Sequence, residues 1–142
     1  RTGMKTPDTQ EVYVGATYGI ATLKYNYVIS ENFIGWWAGT PGAANYKKSQ
    51  GSDYVDLTVT YPVDETLNLV AHAGHQNVKN VSQASYTDWK LGVTKDVGVG
   101  VVGLAVTGSD AKQGATDGAW GKDVWGHQIA GTRVALSFLK TF

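Results

Sequence analysis

Two histidines in the run His72-Ala73-Gly74-His75 invite a metal-binding reading, because closely spaced imidazoles are common zinc ligands. On a strand, residues three apart point to opposite faces, so these rings diverge and a structural or solvated role is expected. A hydrolytic site needs a nucleophile, a base and an orienting group, and Ser85, Ser137, His72, Asp56 and Asp88 supply the residue types. No spacing motif ties them together, so no catalytic residue is expected and the chain does not read as an enzyme. Asp88 and Lys90 stand two apart on one side of a strand, where an ion pair with each other, or with a charge across a lumen, is the expected use. Asp110, Asp117 and Asp123 have the oxygen ligands calcium prefers, but their spacing matches no EF-hand loop and a solvated loop is expected. His127 stands alone after that loop, and neither a cofactor nor a metal is expected.

The segments carrying these residues alternate apolar and polar side chains, the mark of a half-apolar strand. In Asp53–Val63, Val55, Leu57, Val59, Tyr61 and Val63 oppose Tyr54, Asp56, Thr58 and Thr60. In Thr66–Gln76, Leu67, Leu69, Ala71 and Ala73 oppose Asn68, Val70, His72, Gly74 and Gln76. Ser85–Lys95 sets Thr87, Trp89, Leu91 and Val93 against Tyr86, Asp88, Lys90, Gly92 and Thr94. Val97–Thr107 sets Val102, Leu104 and Val106 against Gly103, Ala105 and Thr107. Pro62–Glu65 and Asp96–Gly98 read as tight turns and Asn77–Gln83 as a longer polar loop.

Upstream of this block, Arg1–Gln10 is an irregular lead-in, and Glu11–Tyr18 and Ile20–Ser30 are strands joined by a tight turn. Phe33–Thr40 is a third strand or an extension of its predecessor, with bulky residues on both sides. Pro41–Ser52 is a long polar loop. Downstream, Ser109–Trp125 is an exposed Gly- and Asp-rich loop, and a last strand lies within His127–Phe142, where Val134, Leu136, Phe138 and Phe142 oppose Arg133, Ala135, Ser137 and Thr141. The total is about eight strands of roughly ten residues, or seven if Phe33–Thr40 is an extension.

With 142 residues the chain is most simply one domain. Twelve basic residues balance twelve acidic ones, which leaves no electrostatic footprint for nucleic acid. The absence of cysteine excludes a disulfide framework and a thiolate metal site. High Gly (18), Tyr (8) and Trp (5) with scarce Pro (3) suits strands and tight turns better than helices. No apolar run is long enough for a transmembrane helix, but a membrane strand needs only about 9–11 residues with one apolar face. The start at Arg1 shows no signal peptide, as in a mature form or a fragment.

Closure of the sheet would remove its two edges, so the expected fold is an all-β, antiparallel up-and-down barrel. Charges on the polar face, aromatics on the apolar face and connections alternating short and long favour a transmembrane barrel. Asp56, His72, Asp88, Lys90 and Arg133 would then face a lumen. Leu57, Leu69, Leu91, Leu104 and Phe138 would face lipid, with Tyr61, Trp89 and Phe142 at or near the girdles. The expected function is a small pore or a structural protein of the bacterial outer membrane. Its partners would be membrane lipids and other subunits of a homo- or hetero-oligomer. The alternative is a soluble β-barrel whose apolar face lines a cavity for a small apolar ligand; a membrane-embedded hydrolase is a third reading.

The runs YVDLTVTYP (Tyr54–Pro62), LNLVAHAG (Leu67–Gly74) and YTDWKLGVT (Tyr86–Thr94), with Arg133–Phe142, resemble the Gcw_chp family of proteobacterial proteins. Tyr86–Gly92 is the most specific part, and the terminal Phe142 is similar to the assembly signal of outer-membrane barrels, from which Lys140 departs. The resemblance covers the chain from about Glu11 onward. It implies an outer-membrane barrel and a longer N-terminal region, so that this chain would lack strands. It implies no activity.

Overall fold

The computed structural model describes residues 8–40, 42–112, 120, 127–128 and 130–140. Phe142, Asp117 and Asp123 lie outside the described residues. Nine strands are described: β1 (Glu11–Tyr18), β2 (Ala21–Val28), β3 (Trp37–Ala38), β4 (Lys47–Lys48), β5 (Asp53–Pro62), β6 (Leu67–Asn77), β7 (Tyr86–Asp96), β8 (Val101–Ser109) and β9 (Arg133–Leu139). Seven form one antiparallel sheet in the order β1-β2-β5-β6-β7-β8-β9, while β3 and β4 pair in a separate two-stranded ribbon.

One end of the large sheet is closed by short turns whose side chains complete the backbone. Gly19, at φ +56°, is the first of two residues linking β1 to β2, as a Gly-first hairpin requires. Between β5 and β6, Asp64 Oδ1 accepts from the backbone N–H groups of Thr66 and Leu67 at 2.7 and 2.9 Å and from the Thr66 hydroxyl at 2.9 Å. The Thr66 and Leu67 bonds hold the Asp64 carboxyl below the ordinary carboxylate value. Between β7 and β8, Asp96 Oδ1 accepts from the Gly98 amide at 2.8 Å, with Gly98 at φ +82°.

The opposite end carries the long connections, and the buried cluster is there, built on the end of β2 and the connections. Val28, Phe33, Val78, Val81 and Ala84 form it, with Trp36 and Ala38 packed against it. Two buried serines tie the connections together. Ser49 Oγ donates to the Trp36 carbonyl at 2.7 Å and accepts from the Phe33 amide at 2.8 Å. Ser52 Oγ donates to the Ser49 carbonyl at 2.6 Å and accepts from the Lys79 amide at 3.0 Å. Trp120 joins this cap edge-on to Trp36 and Tyr86, with its indole N–H donating to the Ala84 carbonyl at 3.0 Å.

Three sequence expectations are corrected here. Phe33–Thr40 is not a strand of the large sheet, because Phe33 turns into the cap and only Trp37–Ala38 pairs, with Lys47–Lys48. The expected polar loop Asn77–Gln83 supplies two of the five buried cap residues, Val78 and Val81, and Ala84 follows directly after it. The third correction concerns closure. β1 pairs only with β2 and β9 only with β8, so the sheet is open and no barrel forms among the described residues. Unpaired edge groups would each cost several kcal/mol in hydrocarbon, which is why a membrane sheet must close. The transmembrane barrel, the porin-like or structural membrane role, the outer-membrane location and the lipid and membrane-oligomer partners fall with closure. What stands is an all-β antiparallel architecture.

Candidate functional site

The ladder registers turn the alternation of each strand into rows that cross the sheet. Thr58, His72, Lys90, Thr107 and Arg133 are successive partners from β5 to β9. The neighbouring row on the same face reads Asp56, Gly74, Asp88 and Ser109. His72 lies between the two aspartates. Its Nε2 is 2.8 Å from Asp88 Oδ1 and its Nδ1 is 3.4 Å from Asp56 Oδ1. The Thr58 hydroxyl is 3.2 Å from Nδ1 and donates to Asp56 Oδ1 at 3.1 Å. Tyr54 donates its phenol proton to Asp88 Oδ2 at 2.9 Å, and its oxygen is 3.3 Å from His72 Nε2.

Tyr54 reaches Asp88 by crossing β6 at Gly74. A Cβ on Gly74 would lie 2.0 Å from the phenol oxygen, so only glycine leaves room for the ring. Burial, and then the bond to Asp88, push the Tyr54 phenol above its ordinary value, so it remains a neutral donor. His72, Asp56 and Asp88 side chains keep 14, 25 and 27% of their exposure. A neutral phenol and an imidazole already committed to carboxylates form a satisfied polar network, with no activated nucleophile.

The other residues named for hydrolysis lie elsewhere. Ser85 Oγ accepts from the Val78 amide at 2.9 Å in the cap, and Ser137 faces Gly103 on β8. His75 points to the opposite face from His72, with Nδ1 3.0 Å from the Thr87 hydroxyl. Among the described residues, no group of three or more His, Asp and Glu is placed to hold a metal ion. Asp110 Oδ1 accepts from the Thr87 amide at 2.6 Å. Among the described residues Asp88 does not pair with Lys90; its two oxygens face His72 and Tyr54 instead. Arg133 donates to the Gln128 carbonyl. Sequence reasoning missed Tyr54 and Thr58 as partners of this cluster, although the turn midpoints that fix each register place Thr58 beside His72.

The opposite face carries Leu57, Tyr61, Leu69, Trp89, Leu91, Leu104 and Phe138, each 39 to 59% exposed. It holds a trough of about 520 Å³ across β5, β6, β7 and β8. One wall is the row Val59, Ala71, Leu91, Val106; the other is Tyr61, Leu69, Val93, Leu104. Between the walls, Val70, Gly92 and Ala105 present their backbone as the floor, since their side chains belong to the other face. Four strands span about 14 Å and rows two residues apart are separated by about 7 Å, so the trough is long and narrow. Its floor is laddered backbone and its walls are aliphatic side chains and one tyrosine ring.

No curated protein and no solved structure matches the chain. The family model described as a bacterial protein of unknown function, Gcw_chp, matches residues 2–138. The outer-membrane barrel that the sequence resemblance implied is overturned, since among the described residues β1 pairs only with β2 and β9 only with β8. The chain belongs to the Gcw_chp family, and its described residues form an open antiparallel sheet with a polar network on one face and an apolar trough on the other.

Proposed function

We propose that the protein binds a small, elongated apolar ligand, of the shape of an alkyl chain, along the trough that crosses β5 to β8. The observation that carries this reading is the trough itself: two parallel apolar rows with a floor that offers no free hydrogen-bonding group. Its volume of about 520 Å³ lies within the usual range of small-molecule sites, about 300–1,000 Å³. An apolar surface of this extent exposed to water is costly, and covering it supplies the driving force for binding. The ligand-binding reading of the sequence placed this face around a closed cavity; here it is an open groove. Binding rather than catalysis is the proposed activity, since the trough holds no nucleophile or acid–base pair.

The test is a fluorescence titration with N-phenyl-1-naphthylamine, an uncharged aromatic probe, in detergent-free buffer. Saturable enhancement is expected for the parent protein. Ala71→Trp fills the trough at its narrowest side chain and Leu91→Lys puts a charge on its wall, and each is expected to weaken binding by about tenfold or more. Leu23→Lys, on the same face but outside the trough, should leave the titration unchanged. No saturable enhancement in the parent, or equal losses in all three variants, would remove the proposal.

A further inference from the structure

We infer a second binding site, on the polar face, that takes an oxyanion through Lys90, Thr107 and Arg133. These three residues are consecutive partners in one cross-strand row. Lys90 and Thr107 take no hydrogen-bond or ion-pair partner among the described residues, while Arg133 spends one donor on the Gln128 carbonyl. A guanidinium has five N–H donors, so four remain.

Lys90 lacks a partner for a structural reason. Its neighbour on the same side of β7, Asp88, accepts from Tyr54 at 2.9 Å on one oxygen and has His72 at 2.8 Å from the other. The network around His72 thus holds both oxygens of the nearest carboxylate toward Tyr54 and His72, and Lys90 forms no ion pair with it. Lys90 and Arg133 sit on strands two apart, with backbones separated by about 10 Å, and Thr107 lies between them. Both long side chains can converge over the Thr107 hydroxyl.

The space for a ligand is present. A groove of about 410 Å³ is lined on one side by His72, Lys90, Thr107 and Arg133, on the other by Asp88 and Ser109. An ammonium, a hydroxyl and a forked guanidinium lining one groove suit an oxygen anion with several lone pairs, as in a carboxylate or a phosphate. The groove exceeds the oxyanion alone and has room for a small organic group attached to it. This site stands on the opposite face from the apolar trough and is independent of it.

The experiment is calorimetric titration of the full chain with inorganic phosphate and, separately, with acetate, at an ionic strength held constant with sodium chloride. Saturable binding of one or both is expected, the tighter arm identifying a tetrahedral or a planar head group. Lys90→Ala, Arg133→Ala and the near-isosteric Thr107→Val should each weaken binding by about tenfold. Lys95→Ala, on the same strand but outside the groove, should leave it unchanged. Near-UV circular dichroism and the naphthylamine titration, both expected to match the parent, show that the variants remain folded. Absence of saturable binding in both arms would overturn the proposal, as would equal loss in Lys95→Ala or equal displacement by added chloride.

Discussion

Gly74 decides how the polar network is wired. With hydrogen as its side chain, it lets the Tyr54 ring pass over β6 and reach Asp88, two strands away. Gly74→Ala would drive Tyr54 off this path, at an expected cost of about 1–3 kcal/mol in denaturant unfolding. In a Tyr54→Ala background the same substitution should cost much less, because the obstacle is gone. Equal costs in the two backgrounds would show that Gly74 serves the strand and not the tyrosine. The sequence makes Asp56, His72 and Asp88 legible as neighbours of one polarity, since alternation places all three on one face. It does not make the Tyr54–Asp88 bond legible, because that contact depends on an absent Cβ and on the registers of two ladders at once. In place of the expected Asp88–Lys90 pair, the oxygens of Asp88 face two groups distant in sequence, Tyr54 and His72.

At the scale of elements, the strands with clean alternation, β5 to β7, emerge within a residue of their expected limits, β8 with its weaker alternation starts four residues late, and the connections differ more. Phe33, Ile34, Trp36 and Trp37 are bulky on both sides of any strand, so period two assigns no face to them. The structure resolves this by turning Phe33 into the cap. A different signal was available in the loop after β6: Val78, Val81 and Ala84 recur every three residues, the period of a 3-10 turn, and all three are buried around Ser82–Ala84. The cap, and not the sheet, holds the buried apolar cluster. Phe33→Ala should therefore destabilise the protein by about 3–5 kcal/mol, measured by denaturant unfolding, while Leu136→Ala on the exposed face of β9 should change it little. Comparable losses at the two positions would show that the sheet face is covered.

For the whole molecule, alternation tells which side of a strand is apolar but carries no information on whether the first and last strands meet. An open sheet and a closed one have the same period, so closure was the part of the fold least legible in the sequence. Among the described residues the outer sides of β1 and β9 pair with no strand, and the apolar face carries a hollow, the trough over β5 to β8. Whether that hollow is a binding site is measured most directly by methyl NMR during addition of N-phenyl-1-naphthylamine, whose rings shift the methyl groups they touch. Saturable shifts are expected at Leu69, Leu91, Val93, Leu104 and Val106, with Val14, Leu23 and the buried Val28 unmoved. Shifts spread evenly over the apolar face, or none at the trough methyls, would contradict a binding site there.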